Sequence, residues 1–149
     1  MISDQLRARM EALLAIADAP FAASLRMPLR VESRANIRQH WGDASKHSAK
    51  HRLAARMVCA RLRPSLRRWV AASGGLVVRV VRVAPRALDS HDNLGAALKP
   101  VIDGVADALG LTTDADARVV FVPDAVRGGV REHAVELEFY PLSRGRFAP

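Results

Sequence analysis

The run L-V-V-R-V-V-R-V, Leu76 to Val83, constrains this chain more than any other stretch. Its β-branched residues suit the pleated surface of a sheet, Ser73-Gly74-Gly75 before it is a turn signal, and Pro85 stops it. It reads as a central strand, so the rest of the chain has to supply its neighbours and its cover. Residues 24 to 31 alternate Leu25, Met27, Leu29 and Val31 with Arg26 and Arg30, a strand that buries one face, and Pro28 suits an edge position. Two further strands, 118 to 123 and 133 to 142, close the chain around a loop containing Gly128-Gly129. In the last, Ala134, Glu136, Glu138 and Tyr140 alternate with Val135, Leu137 and Phe139.

Helical periodicity fills the gaps. Residues 3 to 18 form an amphipathic helix with Ser3 as N-cap, Leu6, Met10, Leu13, Leu14 and Ala17 at helical spacing, and Pro20 as its stop. A loop from Glu32 to Trp41 follows, rich in groups that bind phosphate or bases: Arg34, Asn36, Arg38, His40 and Trp41, the last of which equally suits a core cap. Asp43 caps a helix over 44 to 62 whose apolar positions Ala49, Leu53, Met57, Cys59 or Ala60, and Leu62 face inward. Pro64 breaks it, and Ser65 to Ala72 form a short basic turn with Leu66, Trp69 and Val70 packing inward. Leu94, Leu98, Val101, Val105 and Leu109 then repeat at steps of three and four; Pro100 implies either a kink or a helix that starts there, and Gly110 ends it.

The order is therefore α-β-α-β-α-β-β, an α/β or α+β fold with a small mixed sheet and packed helices. It divides into a helical extension over 1–20, a main domain over 24–142 and a basic tail over 143–149. At 149 residues with half of them hydrophobic, the chain can bury a real core. The lone Cys59 excludes a disulfide framework and reads as a small core residue. No stretch resembles a secretory signal or a membrane span, which points to a cytoplasmic protein with no membrane partner.

Charge is unevenly placed. Residues 1–72 carry 14 Lys and Arg against 5 Asp and Glu, a net +9, while residues 73–149 carry 9 against 10, a net −1. The helix over 44–62 bears on its other face Lys46, His47, Lys50, His51, Arg52, Arg56, Arg61 and Arg63 with almost no acidic partners, a surface for a polyanion such as nucleic acid. Conversely, six of the fifteen acidic residues lie between Leu88 and Val119: Asp89, Asp92, Asp103, Asp107, Asp114 and Asp116, with Lys99 among them. Carboxylates gathered in this way repel one another unless a hard cation neutralises them through oxygen ligands, so a magnesium site is one reading and a solvated acidic helix face the other. Order and spacing favour the former: Asp89, Asp92 and Asn93 follow the central strand, and Asp114 and Asp116 precede the next, so strand ends would project them into a shared crevice.

Other chemistries find little support. His47 and His51 have the spacing of two zinc ligands, yet Ser-Ala-Lys between them supplies no general base. There is no phosphate-binding glycine loop and no Gly-x-Ser-x-Gly elbow.

The run from Val81 to Val119, V-R-V-A-P-R-A-L-D-S-H-D-N-L-G-A-A-L-K-P-V-I-D-G-V-A-D-A-L-G-L-T-T-D-A-D-A-R-V, resembles the core of the RusA-type Holliday junction resolvases and their phage relatives. The segment S-R-A-N-I-R-Q-H-W and the basic helix after it resemble that family's N-terminal loop and helix, and the similarity spans roughly Ser24 to Leu142. The resemblance implies a homodimeric, magnesium-dependent endonuclease that cuts four-way DNA junctions by symmetric incision. By position, Asp92 matches the second aspartate of the family's Asp-x-Asp-Asn motif, Lys99 its lysine, Asp103 the aspartate four residues on, and Asp114 the late aspartate. The chain departs in three places. The first motif aspartate falls at Ser90, with Asp89 one residue before it; the gap from Asn93 to Lys99 is longer than in the best-known members; and the late acidic pair is split as Asp114-Ala115-Asp116.

The expected metal ligands are thus Asp89, Asp92, Asp103, Asp114 and Asp116, and the expected catalytic set is Asp89, Asp92, Asp114 and Lys99. DNA contacts fall to Arg34, Asn36 and Arg38 in the loop, Lys46, Lys50, Arg52 and Arg56 on the helix, and Arg79 and Arg82 on the central strand, which hold the backbone of branched duplex DNA. Two other classes stay open: a nucleic-acid-binding protein of the same fold that has lost a metal ligand at Ser90, and an interaction protein whose acidic face is only solvated.

Overall fold

The computed structural model describes residues 3–17, 21–32, 41–72, 75–88, 91–114 and 116–142; the side chains at 41–44, 72, 91 and 92 are not among those described. The elements are α1 (Asp4–Ile16), β1 (Ala23–Met27), α2 (Trp41–Ala60), α3 (Arg63–Ala72), β2 (Gly75–Ala84), α4 (His91–Leu109), β3 (Val119–Arg127) and β4 (Ala134–Leu142). This is a mixed α+β fold of four helices and one four-stranded sheet among the described residues. None of the helices is long and apolar enough to cross a membrane.

The sheet runs β1-β4-β2-β3. β2 is central and apolar on both faces, as its composition requires, pairing antiparallel with β4 and parallel with β3. β1 pairs antiparallel with β4 and forms an edge that stops before Pro28, which has no amide proton to give a ladder. β3 and β4 are consecutive but not adjacent, because β2 lies between them. Their connecting loop passes the end of β2, where the Gly128 amide donates to the Ala84 carbonyl at 2.9 Å.

Strand alternation sorts the two faces. Leu76, Val78 and Val80 point into the main core with Leu98, Val101 and Val105 of α4, Ala55 and Cys59 of α2, and Leu66 and Val70 of α3. Val77 points the other way, into a smaller core with Val122, Tyr140 and Leu142 under Ala12 and Ile16 of α1. Three helices therefore cover one face and α1 covers part of the other.

Several expectations change. The segment after Pro64 is not a turn but the helix α3; proline fits its first turn, where an amide proton would have no partner anyway. Leu66 and Val70 are buried and Trp69 packs beside Phe139, as their spacing suggests. Helix α2 begins at Trp41, so Asp43 lies inside its first turn rather than before it, and it ends at Ala60. Its inner face is Ala55 and Cys59 with Ala54, Val58 and Leu62, whereas Ala49, Leu53, Met57 and Ala60 are exposed. The same inversion occurs in α1: Ser3 caps it through a hydrogen bond to the Leu6 amide, but the small Ala12 and the C-terminal Ile16 are buried while Leu6, Met10, Leu13 and Leu14 are exposed. In both helices alanine permits the closer approach to the domain, so backbone proximity outweighs side-chain size. Helix α4 is continuous from His91 through Pro100 to Leu109 and does not start at the proline. It ends at Gly110 with φ 76°, where the Leu111 amide reaches the Ala106 carbonyl and the Gly110 amide the Asp107 carbonyl, a Schellman closure.

Candidate functional site

Helix α4 buries nearly all its circumference and leaves one polar stripe. Lys99, Asp103 and Asp107 stand four apart on it, each about one turn from the next. The loop after Gly110 folds back along this stripe and delivers Asp114. As a result the Lys99 ammonium donates to Asp103 Oδ1 at 2.9 Å and to Asp114 Oδ2 at 2.5 Å. Half of the Lys99 side chain is solvent-accessible, against 28% and 31% for the two aspartates. Partial burial is the largest single influence on Lys99 and works against its charge, but the hydrogen bonds and attraction from Asp103 and Asp114 together outweigh it and leave the ammonium held more firmly than usual.

One turn further along, Asp107 accepts two hydrogen bonds from Arg52 of α2, Nε to Oδ2 at 2.7 Å and Nη2 to Oδ1 at 2.8 Å. That fork holds the Asp107 carboxyl below its ordinary range, with Arg56 adding attraction. Gly104 makes the contact possible. A Cβ there would lie 2.2 Å from the Arg52 carbonyl oxygen and 2.8 Å from the Ala55 Cβ, so α2 and α4 touch backbone to backbone at this point.

Asp116 stands apart from the stripe. It accepts from the Arg118 amide at 2.9 Å and from the Arg118 guanidinium at 2.9 and 3.0 Å, which depress its proton affinity. The expected gathering of Asp103, Asp114 and Asp116 thus reduces to Asp103 and Asp114. Asp89 lies outside the described residues; position 92 falls in the first turn of α4, two turns before Lys99, with its side chain outside the description. Among the described residues, no three His, Cys, Asp or Glu side chains are grouped as a metal-holding set.

The shared crevice of strand ends is corrected by topology. β2 and β3 are parallel, with Leu76 beside Val119 and Ala84 beside Arg127. The segment that follows β2 and the one that precedes β3 therefore leave opposite ends of the sheet, and it is α4 with its returning loop that brings Asp114 back to Lys99.

The basic residues divide into free and committed. Lys46, Lys50 and Arg56 are exposed along α2 and make no ion pair among the described residues. Arg52 is tied to Asp107. Arg79 projects from the face of β2 opposite α4 and binds Asp124 through Nη2 at 2.6 Å and Glu138 through Nη1 at 2.5 Å. Arg82 is buried and donates to the carbonyls of Val31 and Arg86, both at 2.8 Å; desolvation lowers its proton affinity. The expectation that Arg79 and Arg82 reach DNA beside the carboxylates meets a plain obstacle, since both already serve the protein's own acceptors. Arg34, Asn36 and Arg38 lie outside the described residues. Sequence reading missed the Arg52–Asp107 fork, for which no local signal exists, because it depends on which face of α2 meets α4.

What the arrangement can do chemically follows from its donors. Asp103 and Asp114 approach one positive group from two sides and are partly open to solvent, so their oxygens fit a hard cation as they fit an ammonium. Asp107 and Asp116 are neutralised by arginines and do not. No protein-family model matches this chain, and no curated protein is similar enough to it to be matched.

Proposed function

We propose that the chain is a magnesium-dependent endonuclease that acts on branched DNA, in the manner of the RusA-type resolvases it resembles, and that it works as a cytoplasmic homodimer. One observation carries this reading: Lys99 lies between Asp103 and Asp114 on the polar stripe of a helix that packs directly against the cationic helix α2. Asp103 and Asp114 are the residues that would hold magnesium beside Lys99; Asp92, about 16 Å of helix before Asp103, would hold a separate ion, with Asp89 ahead of it in sequence. Bound there, the ion supplies Lewis acidity toward a phosphoryl oxygen and a water of lowered pKa. Lys99 contributes a fixed positive charge toward the phosphorane oxygens as negative charge develops on them. Lys46, Lys50 and Arg56 hold the flanking phosphates. Symmetric incision needs two such sites, which a two-fold pair of chains provides most simply.

Single-turnover cleavage of a labelled four-way junction, with and without magnesium, tests the reading. Wild type is expected to cleave only with the metal. Asp114→Asn and Asp92→Asn are expected to lose orders of magnitude in rate while junction binding without metal is kept or tightened, because one repulsion against the phosphates has gone. Lys99→Ala is expected to lose rate yet retain its metal dependence. Wild type that binds junctions but never cleaves them would leave the non-catalytic reading in its place, which the commitment of Asp116 to Arg118 favours.

A further inference from the structure

The outer face of α2 combines two properties that rarely coexist on a solvated helix. Leu53 is 54% exposed and Met57, one turn on, is 64% exposed. At 100° per residue, Ala49 and Ala60 fall in line with them, Lys46 continues the line toward the N-terminus, and Lys50 and Arg61 flank it on one side with Arg56 on the other. All of these residues are exposed. From Ala44 to Arg63 the sequence contains no Asp or Glu, and among the described residues Lys46, Lys50, Arg56 and Arg61 make no ion pair. The apolar pair is not a leftover core position either, because the opposite face, through Ala55 and Cys59, already packs against α4 and the sheet.

A surface of this composition fits a ligand that is anionic at its rim and apolar at its centre. An anionic bilayer has that character, but helices that lie in the membrane interface bury a broad apolar face rich in Trp, Phe or Leu. Here the face offers one leucine, one methionine and two alanines. Nucleic acid asks for much less: one or two apolar side chains suffice as a wedge against an exposed base face while cations grip the phosphates on either side. Intact duplex hides its base faces inside the stack. A branch point, where stacking is interrupted, exposes them.

We infer that Leu53 and Met57 form an apolar wedge that packs against unstacked bases at a DNA branch point, with Lys46, Lys50, Arg56 and Arg61 holding the phosphates around it. This rests on the reading of the chain as a protein of branched DNA, and it assigns the preference for branches to α2 rather than to the carboxylate site. The wedge adjoins that site: Arg52 is the neighbour of Leu53, and its guanidinium is bound to Asp107 on the stripe that carries Lys99 and Asp103.

The test compares wild type with a Leu53→Ser, Met57→Ser double variant in metal-free buffer, on a four-way junction carrying 2-aminopurine at the branch and on a linear duplex of the same total length. Wild type is expected to bind the junction more tightly and to raise the 2-aminopurine emission as the base is unstacked. In the variant the ratio of junction to duplex affinity is expected to fall about tenfold, the size of effect expected when an aliphatic side chain loses its apolar contact, and the emission rise to disappear. A thermal melt matching wild type checks that the exposed substitutions leave the fold intact. A variant that keeps both the affinity ratio and the emission change overturns the wedge while leaving the DNA reading in place. Wild type that binds neither DNA overturns both. Sedimentation with vesicles of phosphatidylglycerol, if strong in wild type and lost in the variant without any change on DNA, would assign the face to a lipid surface instead.

Discussion

Arg79 illustrates how a single position in a strand decides what a cation is for. In sequence it is one of two arginines in an apolar run beside an acidic segment, and proximity along the chain suggests a shared site. Strand alternation sends it to the other face of the sheet, where it faces Glu138 on β4 and Asp124 on β3. Burial, the largest influence on it, opposes its charge, and the hydrogen bonds to those two carboxylates more than restore it. Glu138 is only 11% exposed at its side chain and also accepts from the Tyr140 hydroxyl, so it depends on Arg79 for compensation. Removing one partner of such a pair strands the other in a medium that solvates it poorly. Arg79→Met is therefore expected to destabilise the fold by about 2 kcal/mol, less than for a fully buried pair because Arg79 keeps some solvent access, as read by urea denaturation. Affinity for DNA is expected to stay within twofold of wild type. A large loss of binding with unchanged stability would return Arg79 to the nucleic-acid surface.

At the scale of elements, Gly104 fixes how α2 meets α4. Glycine inside a helix ordinarily costs up to about 1 kcal/mol relative to alanine, so Gly104→Ala would stabilise an isolated α4. In the folded protein the added methyl meets the Arg52 carbonyl and the Ala55 Cβ, both parts of the facing helix that cannot swing aside. The expected net result is destabilisation of about 1–3 kcal/mol, the usual range for overpacking, measured as a lower melting temperature. Helices forced apart would also loosen the Arg52–Asp107 fork. The strands, the α4 periodicity and the Gly110 stop were legible in the sequence because each rests on local signals: β-branching, apolar spacing, a left-handed cap. The inner faces of α1 and α2 were not, because their leucines and methionines outweigh alanines in any periodicity, whereas close packing selects the alanines. Lys99 and Asp103 were legible as an i, i+4 pair. The arrival of Asp114 beside them depended on a loop that reverses along α4, and neither spacing nor composition reports that path.

Across the whole molecule, charge is segregated by layer. No acidic residue occurs between Asp43 and Asp89, a span that includes nearly all of α2 and the whole of α3 and β2. On the far side of the sheet, Arg26 and Arg79 are each matched by two carboxylates, Glu132 and Glu136 for the first and Asp124 and Glu138 for the second. A polyanion would therefore approach the helical layer in preference to the opposite face, and its affinity would depend on salt. Each phosphate neutralised releases condensed counterions, so log affinity is expected to fall linearly with log salt, with a slope of about −0.9 per duplex phosphate contacted. If Lys50 and Arg56 each contact one phosphate, Lys50→Ala with Arg56→Ala should make the slope shallower by about 1.8, equally for junction and linear DNA. Arg79→Met should leave the slope unchanged, since its charge is satisfied within the sheet. Arg52→Ala tests a committed cation within the helical layer: its guanidinium is held by Asp107, so its loss should weaken the α2–α4 contact more than it changes the slope. Fluorescence anisotropy titrations across a salt series, with wild type and the three variants on the same DNA, resolve these cases. A slope that does not respond to the α2 substitutions would place the polyanion elsewhere on the chain.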